Sequence, residues 1–524
     1  MARAPARSGW RVGDERVEPG SPLTGQGGVG RWAAIPRPTS VAARALGRWL
    51  AWLTVPRLWL VVVLGAIGAM QLAVGPNAVD LAYHVRAGAL MVDTGHVLRT
   101  DVLAWPTAGQ PWLDQNWGAQ LLLYGLWRAG GFPLIVVVNA LVTVAAWGLV
   151  VAACRRRTAS LRVIAGAVLV AHASGMFIFA ARPQMFSVLL FAVELYLLEV
   201  ARRRPRVLVA LPLLMVLWVN LHGAFVVGLM VVGIDAAVAV ARRNWPAAVR
   251  LLLAGAGSVL ALLVNPWGPG ALRYVADLLG NRSVTAGVTE WAPTNLRDPA
   301  GAALLGSLAV LVVALVRSGR VARAADQLAR VVPLAVLALW TARAGVWFGL
   351  ALPLALAALA RERAPRPARD DRGSPLLTGS LLLVVCLAIA VAAPGVRNRV
   401  VPGVAARPAL ASAPVASADW LAAHPQVGRM WNYQPWGSYL EFRLGPGVKP
   451  AVDSRIELTP QELWTDYHAV MAGRWDAQRL LAKRGVAYVV TDATATPDLV
   501  AQLEASAGWR LAFSHREERV YVRR

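Results

Sequence analysis

The stretch "VPRLWLVVVLGAIGAMQLAVGPNAVDLAYHVRAG", Val55–Gly88, changes character halfway along. Its first twenty residues are apolar and long enough to cross a bilayer as a helix. The remainder places Asp80 and His84 four residues apart, on one face of a second, short helix. Asn77 is positioned as an N-cap and Asp80 as a first-turn carboxylate, which accounts for local geometry. It does not account for a carboxylate and an imidazole facing the same way just beyond a membrane crossing.

The rest of the chain repeats the first half of that pattern. It has 524 residues, 57% of them hydrophobic, and a mean hydropathy of +0.50, too apolar for an ordinary soluble protein. Apolar runs predict an α-helical polytopic membrane protein of about eleven spans. They lie near 56–75, 132–153, 160–180, 184–201, 207–220, 223–241, 247–264, 300–316, 329–342, 345–360 and 375–393. The formal net charge of +24 comes from arginines clustered between these runs, so it reflects membrane topology and implies no nucleic-acid partner. Residues 1–45 read as a disordered basic leader, too long for a cleaved signal peptide, and the first apolar run as a retained anchor. Cys154 and Cys386 lie in separate apolar runs and suggest neither a disulfide nor a metal site.

The connections set the orientation. "RRRT" at 155–158, "RRRPR" at 202–206, "ARRNW" at 241–245, "RSGRVAR" at 317–323 and "RERAPRPARDDR" at 361–372 fall on one side with the N-terminus. The positive-inside rule makes that side cytoplasmic. The opposite side receives external loops 76–131 and 265–299, the turns at Arg182, Asn220–Gly223 and Arg343, and the tail 394–524. The membrane domain then runs over 46–393, with a small extracytoplasmic α/β domain after it. Candidate strands in the tail are "GRMWNY", "KPAVD", "VAYVVTD", "WRLAFS" and "RVYVR", alternating with helical stretches such as "TPQELWTDYHAVMAG".

Four motifs on that outer side bear a family likeness. "DLAYHVRAG" followed by "RTDVLAWPTAGQPW" resembles the first external loop of the oligosaccharyltransferase catalytic subunit and related GT-C glycosyltransferases. The resemblance implies that Asp80 is the active-site Asp at the membrane surface, with Tyr83 and His84 matching the residues after it. "VTEWAPT", Val288–Thr294, is similar to an external-loop motif whose glutamate, here Glu290, holds acceptor and metal geometry. "RMWNYQPWGSYLEFRLGPGVKPAVDSR" is similar to the segment around the acceptor-binding motif, with Trp431, Asn432 and Tyr433 near it and Asn432 where an Asp is expected. Arg343 in "TARAGVWFGLALP" resembles the outer-face arginine that contacts lipid-linked phosphate.

The resemblance implies a sugar transfer from a polyprenyl-phosphate-linked donor, embedded in the bilayer, to a glycan, lipid or protein acceptor of the bacterial cell envelope. Asp80, His84 and Glu290 would be the catalytic groups, with Asp80 and Glu290 as ligands of a divalent ion, Mg or Mn. Arg343, Arg182, His222 and Asn220 would bind substrate. Three of them have a plainer reading: "VNLHG" suits a tight turn, and Arg182 suits a cation snorkelling to the interface, whereas Arg343, between two short apolar runs, is a functional candidate by default. The family's further acidic motif is missing, since the corresponding turn reads "FAARPQMFS". That departure counts against peptide N-glycosylation and against a full metal site. Two other readings are a flippase or transporter, for which no internal symmetry is apparent, and a non-catalytic protein that binds or assembles lipid-linked glycans.

Overall fold

A computed structural model describes residues 54–74, 78–175, 179–280, 292–361, 375–393 and 413–524. Five of its helices are long and apolar enough to cross a membrane: Val55–Ala73, Trp117–Cys154, Gln184–Ala201, Pro299–Ser318 and the stretch Ala342–Leu359. Shorter apolar helices lie at Leu161–Ala173, Pro205–Val219, Phe225–Ala241, Trp245–Ala261 and Thr378–Ala392. We label them in chain order: α1 Val55–Ala73, α2 Ala78–Thr94, α3 Trp117–Cys154, α4 Leu161–Ala173, α5 Gln184–Ala201, α6 Ala210–Val219 and α7 Phe225–Ala241. Then follow α8 Trp245–Ala261, α9 Gly270–Gly280, α10 Pro299–Ser318, α11 Val321–Trp340, α12 Gly345–Leu359 and α13 Pro375–Ala392.

The 38 residues of α3 would reach about 57 Å if straight, far beyond a bilayer core of about 30 Å. The helix instead breaks at Gly130 and Gly131, where Gly131 has φ 65° and Pro133 follows. Glycine takes this left-handed backbone without a Cβ clash, and the proline cannot donate into the preceding turn. The break separates an amphipathic outer piece from the apolar crossing.

At the centre stands α12, every residue of which is buried. It lies close against α4: a Cβ on Gly345 would come within 2.7 Å of the Ser174 carbonyl oxygen, and one on Gly349 within 2.8 Å of that of Ala171. Small residues permit this backbone approach, which is how helices pack where lipid supplies no hydrophobic driving force between them. A 3₁₀ turn, Ala342–Ala344, leads into α12 and carries Arg343.

Polar groups collect at the two ends of the bundle. At one, Arg157 bonds Glu199 (2.5 and 2.7 Å) and Asp326 (2.6 Å), while Gln327 donates to Glu199 at 2.7 Å. Arg330 holds Asp235 through Nε at 2.6 Å and Glu199 at 3.3 Å, and Arg202 joins Asp326. At the other, Gly118 N–H donates to the Asn220 carbonyl, Arg99 to that of Pro266, and Arg182 meets Asp80. The first loop and the turns near 182, 220 and 266 are thereby gathered at that end.

The tail contributes a four-stranded sheet of order β1-β2-β4-β3, from β1 Arg429–Asn432, β2 Val486–Asp492, β3 Trp509–His515 and β4 Glu518–Arg523. β1 and β2 are parallel and the other pairs antiparallel. Helices α14 Val415–Ala423, α15 Gln434–Leu444, α16 Gln461–Met471, α17 Ala477–Lys483 and α18 Pro497–Ala505 accompany it. "KPAVD" joins no strand ladder. The Asn432 side chain supplies its partners instead, accepting from Ala451 N–H at 2.8 Å and donating to the Val452 carbonyl at 2.8 Å. One amide side chain thus replaces a strand-to-strand ladder.

Candidate active site

Asp80 sits in the first turn of α2, as the helix-start pattern suggests, with 28% of its side chain exposed. Its Oδ2 accepts from Arg182 Nη1 at 3.1 Å across 102 residues of sequence. Arg182 is buried in the turn before α5. The arginine that stands where the family's carboxylate was expected therefore pairs with the family's aspartate.

His84, one turn along α2, is buried and lies tilted against Tyr83, their ring centroids 3.9 Å apart. Its Nδ1 lies 3.3 Å from Gln120 Nε2, which donates to Asp114 at 2.8 Å. Burial, then the nearby charges of Arg182 and Arg455, hold this imidazole well below its ordinary pKa. His222 is held low by burial, Arg343 and Arg182, in that order. Its tautomer follows from its partners. Trp218 Nε1–H donates to Ser187 Oγ at 2.6 Å, Ser187 Oγ lies 2.8 Å from His222 Nδ1, and Ala224 N–H points at the same nitrogen. An indole N–H and a backbone N–H only donate, so Nδ1 accepts and the proton of the neutral ring is on Nε2. His84 and His222 thus offer hydrogen bonds rather than positive charge; among the described residues the cations acting on them are Arg182, Arg343 and Arg455.

The tail closes the site from above. Arg455, fully buried, binds Asp101 through Nη1 at 2.6 Å and Asp453 through Nε at 3.0 Å. It stacks 4.7 Å from the Trp112 ring and 5.9 Å from that of Tyr83. Burial raises the Asp101 carboxyl, but Arg455 and Thr107 outweigh it and hold its pKa below the usual range. Ser454 Oγ also donates to the Val79 carbonyl, directly beside Asp80. Glu457 follows on the same segment, and burial, then its charge, raises the pKa of Tyr274 of α9. Burial pushes Glu457 up to about 7 and Asp114 up to about 8.

Asp80, Arg182, His84, His222 and Arg343 of the expected set thus lie at one end of the bundle and bias one another. Asn220 is nearby but its side chain is spent on the turn: it donates to the Val216 and Val264 carbonyls and accepts from Trp117 Nε1. Trp431 and Asn432 are wholly buried, the first stacked on Tyr467 and the second tying down 451–452. As they stand, they shape the tail rather than touch a substrate. Tyr433 is half-buried and packs edge-on against Trp436. Glu290 lies outside the described residues. Asp80 faces a guanidinium, His84 an amide, and among the described residues no group of three or more His, Cys, Asp or Glu is arranged to hold a metal ion. The expected second ligand, Glu290, lies outside those residues. The sequence reading missed Arg455, Glu457 and Tyr274; the charge alternation Asp453, Arg455, Glu457 beside "KPAV" was the available signal.

No family model and no curated protein matches the chain. Among solved structures, it resembles the archaeal oligosaccharyltransferase AglB from Archaeoglobus fulgidus, solved with an inhibitory peptide and a dolichol-phosphate. Identity is 12%, 91% of this chain and 74% of that one are covered, and the TM-score is 0.50. Mycobacterial arabinofuranosyltransferase AftD aligns at 18% identity, over 89% of this chain and 40% of that, with a TM-score of 0.49. ArnT from Cupriavidus metallidurans, bound to undecaprenyl phosphate, aligns at 16% identity, over 92% and 98%, with a TM-score of 0.47. At these identities the likeness speaks for the fold alone, and the first alignment carries it. With its apolar helices and this arrangement, the chain is an integral membrane protein with the fold of the GT-C glycosyltransferases.

Proposed function

We propose that the protein transfers a sugar from a polyprenyl-phosphate-linked donor to an acceptor hydroxyl at the outer face of the membrane. The arginine-rich end would face the cytoplasm, eleven helices would cross over 46–393, and the tail from 394 would stand outside. The observation that carries the reading is the meeting of Asp80 with Arg182, beside His222 and Arg343, at the end roofed by the tail.

In the reaction the acceptor oxygen attacks the anomeric carbon while the bond from that carbon to the phosphate oxygen breaks. The departing polyprenyl phosphate keeps the electron pair. The hydroxyl proton passes to Asp80, whose exposed carboxylate lies at the surface of the cluster. Arg343 and Arg182 lie where fixed guanidinium groups stabilise charge gathering on the phosphate. His222, protonated on Nε2, adds a neutral donor. No step is routed through a metal ion.

The test is turnover of a labelled polyprenyl-phosphate monosaccharide set by purified protein and by Asp80→Asn. A fall of about 10²–10⁴-fold is expected for loss of a positioned base. Undiminished turnover removes Asp80 from the chemistry.

A further inference from the structure

At the end of the bundle opposite Asp80, not every arginine is spent on the internal network. Arg206, Arg243 and Arg250 are exposed, and among the described residues none of the three has an acidic partner. Arg206 sits in the 3₁₀ turn Pro205–Val209 that leads into α6, and Arg250 in the second turn of α8, against which that turn packs. The two helices run side by side in one direction. A Cβ on Gly257 of α8 would come 3.0 Å from Pro212 Cγ of α6, and Asn220, just after α6, donates to the Val264 carbonyl at 2.7 Å. Pro212 thus pairs with Gly257 and Asn220 with Val264, a constant register. Continued two turns the other way, about 10 Å, it sets Arg250 level with Pro205 and beside Arg206.

Beyond these two arginines the groove is apolar. Val209, Leu213 and Leu217 share one face at four-residue spacing, and Leu253 and Leu260 lie on α8; all are more than half exposed. Trp245, 58% exposed at the start of α8, is placed where an amphipathic ring marks the headgroup level of a bilayer. Arg243 gives an independent sign. Helix α7 ends in a Schellman motif, with Asn244 N–H donating to the Ala239 carbonyl and Arg243 N–H to that of Val240. Arg243 has φ 55°, the left-handed conformation that glycine takes without strain. What an arginine adds at this cap is a charge beside Trp245. Nucleic acid or an acidic peptide would leave the exposed leucines uncovered, and a zwitterionic lipid would bring no net charge to the guanidinium groups. We propose that the α6–α8 groove binds an anionic phospholipid, its chains on the leucines and its headgroup on Arg206, Arg250 and Arg243. The site does not depend on the transferase reading.

The experiment is native mass spectrometry of the full chain in detergent, titrated with dioleoyl phosphatidylglycerol, dioleoyl phosphatidylcholine or undecaprenyl phosphate. Phosphatidylglycerol is expected to bind at least tenfold more tightly than phosphatidylcholine. Arg206→Gln combined with Arg250→Gln should remove that preference. The same loss of charge elsewhere on this end, Arg155→Gln with Arg317→Gln, should leave it within twofold. Arg243→Gly should weaken phosphatidylglycerol about fivefold, the loss expected for one cation near the surface, while the melting temperature holds or rises. Equal binding of the two phospholipids by the wild type overturns the site, as does a preference that survives the groove variant. An equal loss in the control pair would trace the binding to diffuse charge and overturn it too. Tighter binding of undecaprenyl phosphate, lost in the groove variant, would replace the phospholipid by a polyprenyl phosphate. A lower melting temperature in Arg243→Gly, or undiminished phosphatidylglycerol binding, overturns the assignment of Arg243.

Discussion

The two ends of α5 carry the same kinds of side chain and use them differently. The helix is 18 residues long, about 27 Å along the axis. At the far end Glu199 receives Arg157, Arg330 and Gln327, and Asp235 accepts from Nε and Nη2 of Arg330. At the near end Asp80 meets Arg182 and keeps 28% of its side chain open. Charge that the protein satisfies internally is architecture. Charge held in place but left open is what a substrate can use.

The largest effect that would break this contrast is at the near end. Asp80→Asn should lower turnover by about 10²–10⁴-fold while moving the unfolding midpoint little, as expected for a partly exposed pair. A large loss of stability instead would make Asp80 as architectural as Glu199. The converse change is Arg330→Met, which leaves Glu199 and Asp235 short of a buried partner. It should cost about 3–5 kcal/mol, read by thermal unfolding in detergent, with turnover per folded molecule unchanged. Next comes Asn432→Asp, which installs the residue the family resemblance expects. It removes the donor to Val452 and turns a carboxylate toward that carbonyl, so the expected outcome is a loss of about 1–3 kcal/mol. Equal stability would mean that the amide is not what binds 451–452.

The smallest effect is a pH dependence. The folded state holds the Glu457 proton more tightly than the unfolded chain, its value being about 7 against an ordinary 4.5. Its contribution is therefore complete below about 4.5 and is lost as pH rises through 7. Glu457→Gln should flatten that part of the melting-temperature curve against pH. An unchanged slope would assign the titration to another group.

Much of the near end was legible because its signals are local or topological. Run length placed apolar helices, arginine distribution separated the ends, and the four-residue spacing set Asp80 and His84 on one helix. Four of the five candidate strands formed. The fifth, "KPAVD", has the right composition, but its partner is a side chain, which no alternation pattern encodes. Helix α15 was passed over because "WNYQPWGSYLEF" was read for its motif, although Pro435 and Gly445 mark its ends. Arg455 and Asp101 are 354 residues apart, and nothing in either neighbourhood announces the other. The same holds for Arg182 and Asp80, where each residue was singled out but not the pair.

The tie between Asn432 and 451–452 also bears on solubility. β1 is the last strand of its sheet, and a bare sheet edge is a template for pairing with another molecule. Here Trp105 Nε1 occupies the Met430 carbonyl, Trp105 N–H takes that of Pro450, and the segment fastened by Asn432 lies alongside. The loop after α2 thus guards the rim of the tail sheet. A protein trimmed of that loop would be expected to aggregate through β1 before it lost its fold.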